Sequence, residues 1–213
     1  MKPLIIIDVD GTVTNFKRID HEIIYDMFHR NKLVMMFDNL LWKINGLDYF
    51  TNKFWIFKLR ILLYSLFSLT GYKLNMIKYQ KEYVQKTRED CKEYFEILHP
   101  VIEDLGYETL LLSHDRFASN VDDSITCTRD KKRYVLNNTY SKYDVIYVVG
   151  NNYMDDIKLG MSLRKLNERL GVKLQTNIVY VGESKWLIKN ILQDKPIKCV
   201  GNLEDFVKLL LKE

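Results

Sequence analysis

The chain has 213 residues, 47% of them hydrophobic and 28% charged, with a formal net charge of +4. Only three prolines and nine glycines argue against linkers and low-complexity tracts, so the chain reads as globular and soluble. Its length suits one large domain, or a core domain with a smaller one inserted.

Cys91, Cys127 and Cys199 are scattered singly, without a Cys-x-x-Cys pair or metal-ligand spacing. Such cysteines are expected to be small buried hydrophobes in a reducing compartment. The apolar N-terminal run is four residues long and carries no cleavage site, so no signal peptide is expected and the expected location is cytoplasmic. Charge is unevenly spread: residues 16–89 hold 13 Lys/Arg against 7 Asp/Glu, and no acid falls between Tyr49 and Lys81. That asymmetry points to an anionic partner or substrate for this region.

Leu4-Ile5-Ile6-Ile7 forms an unbroken apolar run, three residues of it β-branched, as expected of a strand buried on both faces. It ends in Asp8-Val9-Asp10-Gly11-Thr12. A long helical section follows, roughly residues 19–98. Ile19, Ile23, Ile24, Met27 and Phe28 recur at helical spacing, and Leu33 to Trp42 reads as a buried helix. Phe54 to Leu69 is the most hydrophobic stretch. Its charge-free part, Ile61 to Tyr72, is 12 residues, short of the ~20 needed to span a bilayer. It reads as a buried helix, or as an interfacial helix with basic character on an anionic membrane surface. Residues 75–98 form a more polar helix with Met76, Tyr79, Tyr83 and Val84 as its stripe, and Pro100 marks a break or restart.

Glu108 to Leu112 reads as the next buried strand, ending at Ser113. Ile125 to Cys127 is a short strand, and Asp130-Lys131-Lys132 opens a helix. Val145 to Val149 is a core strand followed by Gly150-Asn151-Asn152-Tyr153-Met154-Asp155-Asp156 and a helix to about Leu170. Ile178 to Val181 and Ile197 to Val200 are further strands, and Leu203 to Leu211 is an amphipathic helix. Strands alternating with helices imply an α/β fold: a Rossmann-like parallel sheet with helices on both faces.

Ligands of such sheets bind at the carboxyl ends of the strands. Two acids there repel and are costly to desolvate unless a cation or proton compensates. Gly11 permits a sharp turn and close approach to a ligand. The pattern suits an aspartate nucleophile with a neighbouring acid/base, neutralised by a divalent metal; the bland alternative is an acidic turn closing a core strand.

Asp8-Val9-Asp10-Gly11-Thr12 after a buried strand resembles the first motif of the haloacid dehalogenase-like superfamily. The resemblance covers residues 4–14 and 98–211. It implies Asp8 as nucleophile and Asp10 as acid/base, with Gly11 and Thr12 beside the substrate. Ser113 resembles the second motif, a hydroxyl that bonds the phosphoryl group, although it could simply cap a helix. Lys132 is taken as the lysine of the third motif, because Val135 and Leu136 follow at +3 and +4; Lys131 is its competitor. The fourth motif departs from the family's Gly-Asp-x-x-x-Asp, with Asn151 at the first acid and Asp155 at the second, Asp156 adjacent. The resemblance thus implies Mg²⁺ held by Asp8, Asp10, Asn151 and Asp155, with either the neutral Asn151 oxygen weakening the site or Asp156 supplying a ligand by a small shift in frame.

The helical insertion of about 75–80 residues between the first two motifs is placed like the helical cap of phosphoserine phosphatase-like members. The expected organisation is a core of residues 1–15 and 90–213 with an all-helical cap at 16–89. The implied activity is a Mg²⁺-dependent phosphatase for a small phosphomonoester, working through an aspartyl-phosphate; phosphomutases share the scaffold. A rival reading is a weakly catalytic or non-catalytic binding protein using its basic, apolar cap. No nucleic-acid motif is present, so no nucleic-acid partner is expected. The oligomeric state is not legible.

Overall fold

The computed structural model describes residues 3–27, 32, 33, 36, 40, 76–114, 118–182 and 196–212. The hydrophobic stretch 54–69, with its interfacial reading, lies outside the described residues, as does most of 33–42. No helix among the described residues is long and apolar enough to cross a membrane.

The first strand, β1 (Leu4–Asp8), is followed by helix α1 (Phe16–Met27) and, after the undescribed stretch, helix α2 (Met76–Glu93). A π-helical turn (Tyr94–Leu98) and α3 (His99–Asp104) lead into β2 (Glu108–Ser113). Pro100 falls at the start of α3, directly after the π-helical turn, and the chain stays helical through it. Then come β3 (Ile125–Cys127), α4 (Lys131–Asn138), β4 (Val145–Gly150), a π-helical turn (Tyr153–Ile157) and α5 (Lys158–Leu170). β5 (Gln175–Val181), β6 (Lys198–Val200) and α6 (Leu203–Leu210) complete the order. β5 starts three residues before the expected Ile178, because Gln175 to Asn177 pair with Val145 to Tyr147.

All pairings are parallel, and the strand order is β3-β2-β1-β4-β5-β6. The α/β reading therefore holds. Because β1 is central, its side chains alternate between two cores, which explains the unbroken apolar run. Ile5, Ile7 and Val9 join one cluster with Cys91, Tyr94, Ile102, Phe206 and Leu210, from α2, the first π turn, α3 and α6. Leu4 and Ile6 join the other with Val135, Leu159 and Leu163, from α4 and α5. Each fully buried Ile or Leu contributes roughly 1.5–3 kcal/mol, so the two layers hold β1 in place.

The expected division between residues 89 and 90 falls inside the single helix α2. That helix is tied to α1 by buried Ile19, Ile23 and Tyr83 and by polar contacts at its rim. Asp90 accepts from the Asn15 backbone N–H at 2.9 Å and from Arg18, and Lys86 meets Glu22 at 2.8 Å.

Candidate active site

The chain runs from β1 to β2 and β3 on one side, then crosses to β4 on the other. The gap between β1 and β4 is the switch point where open α/β sheets bind ligands. Beyond β1, the Val9 carbonyl accepts from the backbone N–H groups of Thr12, Val13 and Thr14 and from the Thr14 hydroxyl. This wrap needs the positive φ of +93° at Gly11. Val9 is fully buried, so Asp8 and Asp10 are fixed on either side of an anchored residue.

Asp8, Asp10, Ser113, Lys131 and Asp156 are all buried at this sheet edge, none more than 5% exposed. Lys131 Nζ donates to Asp8 Oδ1 at 2.5 Å and to Asp156 Oδ1 at 2.7 Å. Burial works against the Lys131 charge, but attraction to Asp156 and Asp8, and hydrogen bonds to both, outweigh it and hold the ammonium pKa above its ordinary 10.5. Ser113 Oγ donates to Asp10 Oδ2 at 2.6 Å, so its partner here is the Asp10 carboxylate.

Two placements correct the sequence reading. The lysine in the site is Lys131, not Lys132, which is exposed. α4 begins at Lys131 behind the Asp130 cap, and successive helical residues point about 100° apart, so only one lysine can face the sheet. Lys131 shares its face with the fully buried Val135, four residues on. The second correction concerns the loop after β4. The acid brought to Lys131 is Asp156; Asp155 lies 3.5 Å from His114 Nε2 with its side chain 21% exposed.

The π turn accounts for the shift in frame. Asn152 accepts through Oδ1 from the Met154 and Asp155 N–H groups, while its own N–H donates to Asp156 Oδ2 at 3.1 Å. The Ile157 N–H reaches back five residues to the Asn152 carbonyl. A Cβ at Gly150 would stand 2.3 Å from Asp156 Cγ, so the carboxylate occupies the space that only glycine leaves. Asn151 lies against Gly11 in the same manner: its Nδ2 is 2.1 Å from where a Gly11 Cβ would be. Gly11 and Asn151 thus meet across the switch point.

Tyr83 is a member of the site that the sequence reading treated as helix stripe. Fully buried on α2, it donates from its hydroxyl to Asp10 Oδ1 at 3.0 Å. The sequence shows only two tyrosines one turn apart on a polar helix, Tyr79 and Tyr83, whose rings stack in the fold.

No group of three His, Cys, Asp or Glu arranged to hold a metal occurs among the described residues. The residues nevertheless fit a hard divalent cation. Asp8 and Asp156 share one buried ammonium, and a third carboxylate, Asp10, is buried nearby on two hydroxyls, an excess of negative charge that suits a cation. The side chains within reach offer oxygen donors, and the Thr12 hydroxyl is buried without a hydrogen-bond partner among the described residues.

No protein-family model and no curated protein matches the chain. The chain is similar to the crystal structure of cytosolic 5′-nucleotidase IIIB bound to cytidine, at 8% identity and a TM-score of 0.47, over 99% of this chain and 86% of that one.

Proposed function

We propose that the protein is a phosphomonoester phosphatase of the haloacid dehalogenase-like type. The observation that carries this is the buried pair Asp8 and Asp10 at the switch point, one on a lysine and the other on two hydroxyls. Asp8 is fixed by Lys131 and serves as nucleophile. Its oxygen bonds to phosphorus while the bond to the leaving oxygen breaks and its electron pair goes to that oxygen. The Asp10 carboxyl gives the leaving oxygen its proton. In the second step water bonds to phosphorus, Asp10 takes the proton from that water, and the Asp8–phosphorus bond breaks with its electrons returning to Asp8. Phosphate and the alcohol are the products.

Mg²⁺, held by Asp8, the Asp10 backbone carbonyl, Asn151 and an acid of the Asp155-Asp156 pair, would neutralise phosphoryl charge. Lys131 balances the carboxylates, and Ser113 orients Asp10 and contacts the phosphoryl group. The segment between β1 and β2 would act as a helical cap of the phosphoserine phosphatase-like kind, choosing the substrate and excluding water. What supports this is that its described ends, α1 and α2, are helical and that α2 sends Tyr83 into the site.

A panel of phosphomonoesters, assayed with Mg²⁺ and with a chelator, tests the reading. We expect Mg²⁺-dependent phosphate release from at least one ester and from a generic aryl phosphate. Absence of release from every ester would contradict it and favour a binding protein.

A further inference from the structure

We propose that Tyr83 is a positioning residue for Asp10, an inference that rests on the phosphatase reading above. Both oxygens of the Asp10 carboxylate accept a hydrogen bond from a hydroxyl: Oδ1 from Tyr83 at 3.0 Å and Oδ2 from Ser113 at 2.6 Å. The donors come from different elements, α2 and β2, 73 and 103 residues away in sequence. Two donors on two oxygens fix the rotation of the carboxylate about its Cβ–Cγ bond, which one donor alone would leave free. A proton is transferred well only from a group held within reach of the receiving oxygen.

Tyr83 is itself held rigidly. It has no exposed surface, and its ring lies nearly parallel to that of Tyr79, the planes 10° apart and the centroids separated by 6.3 Å. α2 is clamped to the start of α1 by Asp90 on Asn15 and Arg18, just beyond the Asp8-to-Thr14 turn. The helix that closes the inserted segment therefore sets the angle of the group proposed to handle the proton. On this account the site is incomplete without the insert, whatever else the insert does for substrate choice.

The alternative is that Tyr83 merely satisfies a buried carboxylate, and the chemistry separates the two. An alkyl phosphate needs its leaving oxygen protonated, whereas an aryl phosphate with an acidic phenol does not. Tyr83→Phe removes one hydroxyl and keeps the ring. We expect it to lower kcat/KM, which reports only the step that expels the alcohol, by roughly tenfold to a hundredfold for an alkyl phosphate and by less than about threefold for p-nitrophenyl phosphate. The ratio of the two losses is independent of how much of the variant is folded. In an Asp10→Asn background, Tyr83→Phe should cost the alkyl substrate less than about threefold more, because residues acting as a unit are not additive. Equal loss of kcat/KM on both substrates, no loss on either, or full additivity with Asp10→Asn would overturn the proposal. If Asp8→Asn retains activity, the phosphatase mechanism itself falls; if Asp8→Asn is inactive and Tyr83→Phe shows no leaving-group dependence, only the role of Tyr83 does.

Discussion

Lys131 and Asp8 meet at 2.5 Å across 123 residues of sequence, both almost wholly removed from solvent. The same ammonium holds Asp156 at 2.7 Å, so one cation at the start of α4 joins the end of β1 to the π turn after β4. A buried charge with such partners is costly to remove, because the partners are left behind uncompensated.

Lys131→Met should therefore destabilise the fold by about 3–5 kcal/mol in chemical denaturation and abolish activity. Lys132→Met, on the exposed side of the same helix, should stay within about 0.5 kcal/mol of the parent and remain active. The reverse pattern would return the site lysine to position 132.

Why the sequence did not separate these lysines is a matter of spacing. Val135 and Leu136 sit at +4 from Lys131 and Lys132 respectively, so either frame gives a helix with an apolar partner. Only the packing, with Val135 fully buried and Leu136 half-buried, decides which frame faces the sheet. The acid after β4 was displaced for a similar reason. Asn151 and Asp155 fit the expected spacing, with Asp156 one residue on as the alternative frame, and it takes the π turn to decide that Asp156 is the inward acid. The strands were legible, because a parallel sheet buried on both faces turns each central strand into a continuous apolar run. Tyr83 was legible as a helical position and not as a site residue, since its role depends on how α2 lies over the sheet edge.

Gly150→Ala should weaken the fold by about 1–3 kcal/mol, because the new Cβ would stand 2.3 Å from Asp156 Cγ and push the carboxylate off Lys131. Urea denaturation measures this. An unchanged midpoint would mean that Asp156 is not held where the fold now places it.

Asn151→Asp adds a negative oxygen donor where Asn151 offers a neutral one. Mg²⁺ affinity measured by titration calorimetry should rise, since hard cations favour charged carboxylates. Unchanged affinity would remove Asn151 from the proposed ligand set.

Cys91 is 1% exposed, and burial first, with the negative charges of Asp90, Asp10 and Asp122 adding, pushes its thiol pKa up to about 12. At about pH 8 it should resist a thiol reagent that modifies the exposed Cys199 rapidly. The unfolded thiol ionises near 9.0, so the stability tied to keeping Cys91 neutral is complete below that pH and is lost as pH rises from there through about 12. Rapid labelling of Cys91 in the folded protein would contradict this packing.

If Asp8 carries the phosphoryl group, that group can be trapped on it. The protein is mixed with Mg²⁺ and a ³²P-labelled aryl phosphate, quenched in acid within the first turnover, and digested. The account predicts label on the peptide containing Asp8, released by hydroxylamine as an acyl phosphate is, and absent from Asp8→Asn, whose turnover should fall by about three orders of magnitude or more. Turnover without label, or Asp8→Asn working at close to the parent rate, would contradict it.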